Sequence, residues 1–230
     1  AIFGSSIEEP IFKSNYDPRG RVMIKRFISW ILSKIKNTNY IVDDKIPLRY
    51  LYGIAFIRTL MLVRGILYFR KMIFVGRNVT LNSKRNVRLG SGSSVGDYSF
   101  LDGLSSSGIT LGKGVSLGRF GKIRSTATLT ALGVGVNVGD YVGMGDGFYL
   151  GGFGGIEIGS NTIVGERLMV HSDNHFFDDM SLLIRDQGTE RKPVSIGNNC
   201  WMGSNVTILG GVKIGSGSVI GAGSTVTRSF

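Results

Sequence analysis

A mainly β chain wound as a parallel solenoid behind a helical front segment is what these 230 residues predict, on three observations. An aliphatic residue returns every six positions from Ile196 through Met202, Ile208, Ile214 and Ile220 to Val226. Glycine supplies 35 residues, about twice its ordinary share. All of these glycines except Gly4, Gly20, Gly53 and Gly65 lie beyond residue 72, so two architectures meet near that point. We therefore expect an arm with basic helices over 1–72 and a solenoid over 73–230.

Composition sets the outer bounds. At 42% hydrophobic and 19% charged the chain is too apolar for disorder, and its glycines do not fall on every third position as in collagen. The lone cysteine, Cys200, forbids an intrachain disulfide and an all-cysteine metal site, which is compatible with a reducing cytosol. The formal charge of +11 calls for an anionic partner or surface. Because the basic residues sit among aliphatic neighbours in the front helices, nucleic acid is not the expected partner.

In chain order, residues 1–20 contain Glu8, Glu9, Pro10, Asp17 and Pro18 and no apolar run, so a loose arm rather than a signal peptide is expected there. From Arg21 to Lys36 the residues Ile24, Phe27, Ile28, Ile31 and Ile35 recur at helical spacing, opposite Lys25, Arg26, Ser29 and Lys36. This predicts a basic amphipathic helix. Asp43, Asp44 and Pro47 then announce a second helix from about Leu48 to Lys71. Arg49, Arg58 and Arg64 interrupt that apolar run, so it is expected to cap the solenoid or lie in an anionic membrane surface rather than cross a bilayer.

Beyond residue 72 the six-residue spacing recurs in blocks: Leu89, Val95 and Leu101; Leu111, Leu117 and Ile123; Leu132, Val138, Met144 and Leu150; Ile158, Val164, Val170 and Phe176. A period of six fits short extended segments joined by tight turns, each aliphatic stacking on its counterpart one coil away. A second apolar residue often stands two places earlier, as at Val87, Ile109, Val142 and Val206, and Cys200 occupies this inward position, so a buried and inert thiol is expected. Residues 177–193 break the period and should form an external loop. The two histidines of the chain, His171 and His175, stand just before it. Neutral imidazole, with an unperturbed pKa near ~6.5, is a ready general base. A metal site would need a further ligand such as Asp173, Asp178 or Asp179, so no metal is expected.

The run of hexads, the segment VHSDNHFF, the loop with Gln187-Gly188, and VSIGNNCWMGSNVTILGGVKIGSGSVIGAGSTVT together resemble the hexapeptide-repeat acyltransferases. The pattern is similar to the sugar O-acetyltransferases of the galactoside and maltose type and to those that decorate capsule, O-antigen or exopolysaccharide. The resemblance covers about residues 72 to 230. It implies a left-handed parallel β-helix, a homotrimer with its active site and coenzyme groove between subunits, and acetyl-CoA as co-substrate. It implies transfer to a hydroxyl of a sugar or glycan acceptor, in a surface polysaccharide or its precursor. The catalytic base would be His175 and the oxyanion donor the backbone N–H of Ser204. Trp201, Asn174 and Asp146 would face the acceptor side, with Ala222, Thr227 and Arg228 on the coenzyme. An amino-sugar N-acetyltransferase on the same fold, or a non-catalytic solenoid scaffold at a membrane, would share much of this pattern. The expected location is the cytoplasm, with the front helices suited to the inner face of the cell membrane.

Overall fold

The computed structural model describes residues 22–30, 39–126 and 130–230; the expected arm over 1–20 lies outside them. The chain divides into two compact units, Ala1–Ile57 and Arg58–Phe230. The unit that holds the coils therefore begins inside the second helix rather than near residue 72. The reason is packing: from Arg58 onward the helix is fastened to the first coil, as set out below.

In the first unit residues 22–30 are helical (α1), but the expected polar side is not the solvent side. Lys25 is only 7% exposed, and its ammonium donates to the carbonyls of Asp43 and Asp44. Ser29 Oγ accepts the N–H of Val42 at 2.9 Å. Phe27 and Trp30 of the apolar side stand exposed, stacked at 6.1 Å. Carbonyls that follow α1 in the chain draw the ammonium inward, since a buried cation needs such partners. The second helix, α2, runs Leu48–Phe69. It is long and apolar enough to cross a membrane by length and composition, and it is mostly exposed.

In the second unit, strands of two or three residues pass in turn through three parallel sheets, faces A, B and C, of seven, seven and six strands. This is the expected left-handed parallel β-helix, and the expected external loop leaves it after face B. Trp201 pairs with Val219 and Thr207 with Thr225, each eighteen residues on (219 − 201 and 225 − 207), so one coil is three hexads. The hexad aliphatics fill the interior: Leu101, Ile123, Leu150, Val170 and Ile208 form one fully buried column under face B. Burying each such side chain contributes about 1.5–3 kcal/mol. Cys200 is buried in this core as expected. Leu132 and Phe176, which keep the spacing, are exposed instead, because both sit where the chain leaves the coil.

The glycines follow from the corners. An added Cβ on Gly203 would stand 2.6 Å from the backbone nitrogen of Ala222 in the next coil, closer than any real contact. Next to each such glycine is a residue whose N–H points at the following coil, and next again one in left-handed conformation, such as Tyr141, Asn161 and Asn199.

Candidate active site

The corner from face C to face A is sealed over four consecutive coils, from Lys113 to Asn198. The N–H of Lys113 donates to Asp140 Oδ1 at 2.7 Å, that of Asp140 to Ser160 Oγ at 3.0 Å, that of Ser160 to Asn198 Oδ1 at 2.8 Å, and that of Asn198 to Ser216 Oγ at 2.9 Å. In this series each coil supplies the side chain that accepts the amide of the coil before it. Buried or half-buried amides need such partners, and each bond is worth about 0.5–1.5 kcal/mol net.

The corner from face A to face B uses the same device and leaves gaps. Arg77 N–H donates to Asp97, Arg119 N–H to Asp146 at 2.7 Å, and Glu166 N–H to Ser204 Oγ at 3.2 Å. Ser204 in turn has Ala222 ahead of it, a residue with no acceptor, so among the described residues nothing accepts the N–H of Ser204. Its carbonyl is occupied, by the N–H of Gly223 at 2.8 Å. A rigid, unengaged amide at a half-buried corner is a donor held ready for a negative oxygen.

Three residues earlier, Trp201 stands outward on face A, 54% exposed, in register between Ile163 at 63% and Val219 at 65%. This exposed apolar row adjoins the Ser204 corner. The outward row of face C is instead polar from Arg88 and Thr110 through Asn137, Glu157 and Ser195 to Lys213.

His175 belongs to the excursion itself. The strands Asp173–His175 and Thr189–Arg191 pair antiparallel, His175 opposite Thr189, so the external segment starts at 173 rather than at 177. Ser172, fully buried, anchors its base by accepting from Gly154 N–H at 2.8 Å and donating to the Gly151 carbonyl at 2.6 Å. A second tie joins Lys192 N–H to the Ser172 carbonyl at 2.8 Å. His175 and Asn174 are exposed on this hairpin. His171 ends the preceding strand of face B, its ring 5.2 Å from that of Tyr149. Burial pushes the Tyr149 phenol up, helped by Asp173 and opposed by Arg124.

The excursion leaves from the end of face B, whereas the Ser204 corner lies at its start. His175 and Ser204 of one chain thus lie beyond opposite ends of neighbouring strands of face B. Asp146 does not stand free: it binds both the backbone and the guanidinium of Arg119, the latter at 2.8 Å. Burial works to raise its pKa, but the bonds and charge of Arg119 outweigh that and hold the carboxyl below the usual range. Ala222, Thr227 and Arg228 are exposed on the last coil. No group of three metal-ligating side chains occurs among the described residues. What sequence reasoning missed is the gap itself. It is written in the sequence as Gly221-Ala222 standing where the sealing coils carry Gly-Asp, Gly-Ser or Gly-Asn, as at Asp146, Ser204 and Asn198.

The three-faced coil of hexads agrees with the resemblance to the hexapeptide-repeat acyltransferases stated from the sequence. Residues 193–228 match the model of the bacterial transferase hexapeptide (six repeats). An acetyltransferase of Mycobacterium tuberculosis H37Rv, Rv3034c, named as probable, is 32% identical over 129 residues, 51% of this chain and 43% of that protein. WcaF of Escherichia coli K12, named for acetyl transfer in colanic acid biosynthesis, is 30% identical over 95 residues, 41% of this chain and 50% of its own length. The chain thus spans half or less of the length of these relatives. Among solved structures, a maltose O-acetyltransferase from Clostridium difficile aligns over 93% of this chain and 80% of its own at 18% identity and a TM-score of 0.33.

Proposed function

We propose that the chain is an acetyl-CoA-dependent O-acetyltransferase that modifies a sugar hydroxyl of a surface polysaccharide or its precursor. The observation that carries this reading is the unengaged N–H of Ser204 at the face A–B corner, beside the exposed Trp201, on a scaffold whose face C–A amides are capped from Lys113 to Asn198. The names of the two relatives point to acetyl as the acyl group and, for WcaF, to colanic acid biosynthesis.

In this mechanism the neutral imidazole of His175 takes the proton of the acceptor hydroxyl as its oxygen attacks the thioester carbonyl. The carbonyl oxygen becomes an oxyanion and accepts the N–H of Ser204. Collapse expels the coenzyme thiolate, which recovers the proton from the imidazolium. The products are an acetyl ester and free thiol, and no covalent enzyme intermediate forms. Because His175 and Ser204 of one chain lie beyond opposite ends of the face B strands, a site using both joins the hairpin of one subunit to the corner of another, consistent with a homotrimer. Trp201 and Asn174 then flank the acceptor, and Ala222, Thr227 and Arg228 the coenzyme.

The test is release of free thiol from acetyl-CoA in the presence of a panel of monosaccharides and glycan fragments, with His175→Ala alongside. Loss of about a hundredfold or more in turnover, with coenzyme binding by calorimetry retained, is expected. Unchanged turnover in the variant would remove His175 from the reaction, and transfer only to amino sugars would change the acceptor class.

A further inference from the structure

The first coil and the end of α2 form a surface that the acyl-transfer site does not use. Between residues 58 and 96 stand eight basic side chains, Arg58, Arg64, Arg70, Lys71, Arg77, Lys84, Arg85 and Arg88, and not one acidic side chain. The last turns of α2 add exposed Leu60, Val63, Leu67 and Tyr68, followed by Met72, with Leu67 76% exposed. Lys84 joins the two sets, its ammonium 5.4 Å from the ring centroids of both Tyr68 and Phe69.

This part of α2 is not free to leave the coil. Arg64 donates to the Val75 carbonyl at 2.9 Å, and the guanidinium of Arg58 lies 5.4 Å from the Phe74 ring. Gly65 presses so closely on the chain that a Cβ there would stand 1.6 Å from the Ile73 carbonyl oxygen. A helix entering the hydrocarbon of a bilayer along this stretch would have to break all three contacts and bury Arg58 and Arg64, at several kcal/mol.

We propose that this end of the solenoid docks peripherally on an anionic lipid bilayer. Leu60, Val63, Leu67 and Met72 enter the headgroup boundary, Tyr68 sits at that level, and Arg70, Lys71, Lys84 and Arg85 meet the lipid phosphates. The charge selects lipid over a second copy of this chain: the carboxylate beside this surface, Asp97, is already paired with Arg77, so two such surfaces repel. Polybasic segments gain about 1 kcal/mol per cation at an anionic surface, and apolar side chains supply the second signal that stable anchoring needs. The proposal goes beyond the acetyl-transfer reading and does not depend on it.

The full chain is sedimented with phosphatidylcholine vesicles, with or without roughly a third phosphatidylglycerol, at about 50 mM and about 0.5 M salt. Binding to the anionic vesicles at low salt, weakened at high salt, is expected. Lys84→Glu with Arg85→Glu should weaken it at least about tenfold, and Leu67→Glu should weaken it at both salts, with circular dichroism unchanged in each. Equal binding to both vesicle types, unchanged binding by the folded charge-reversal variant, or no sedimentation of the folded wild type overturns the proposal. So does self-association, read by ultracentrifugation, that Leu67→Glu abolishes while vesicle binding persists.

Discussion

The two corners differ in one respect. From face C to face A every amide from Lys113 to Asn198 is accepted by the coil that follows, whereas from face A to face B the acceptors alternate and Ser204 is left with none. Both corners are built from the same glycine, polar residue and left-handed residue. The difference teaches that one side chain decides whether an amide at this position is sealed or left open, and under the proposed function the open one is the oxyanion donor. An aspartate, serine or asparagine there seals the previous coil. An alanine there opens it.

The sharpest way to break this contrast is Ala222→Ser, which copies into the open corner the residue that seals Glu166 and Asn198. The amide of Ser204 then has an internal acceptor. Turnover should fall about a hundredfold, the usual cost of losing an oxyanion donor, while the Michaelis constant for acetyl-CoA holds and the melting temperature stays level or rises. An unchanged rate would mean that the amide plays no part.

Gly203→Ala tests the packing that both corners share. Its Cβ would meet the Ala222 backbone, so a loss of about 1–3 kcal/mol in chemical denaturation is expected. Asn198→Ala and Ser204→Ala each remove one cap and should cost about 1 kcal/mol. Neither removes the Ser204 N–H, so steady-state rates should remain within a few-fold of wild type. A large rate loss in Asn198→Ala would erase the division of labour between the corners.

The smallest effect concerns acid. Asp146 has a folded-state pKa below its ordinary value of 3.8, so its contribution to stability is present above that value and is lost as pH falls through the folded pKa. Asp146→Asn should therefore be less stable than wild type near neutrality and equal to it once the solution is well below 3.8. The pair with Arg119 is exposed, so the difference is small. A stability gap that persists in acid would point to the shape of the side chain rather than its charge.

Much of the coil was legible because a buried aliphatic every six residues leaves little freedom: Val95, Leu117, Met144, Val164 and Met202 all point inward on face A. Where the chain departs from the coil the period stops carrying information. Leu132 and Phe176 keep the count and still face solvent, and the hairpin begins four residues before the spacing fails. Lys25 defeats the amphipathic reading of α1 because the carbonyls that attract it come from residues 43 and 44, outside any helical pattern. The boundary at 57/58 was hidden for a similar reason: Arg64 and Gly65 read as a flaw and a break in an apolar run, and both are contact points with the first coil. In the site, His175 and Ser204 could be named by resemblance, but their separation across face B is a matter of topology that no local motif encodes.

The backward reach of the caps also gives the solenoid an order in time. The amide of Asn198 finds its acceptor only when Ser216 is in place, eighteen residues later (216 − 198). During synthesis the newest coil is therefore always the one with unsealed corners, and each coil becomes secure only after its successor has left the ribosome.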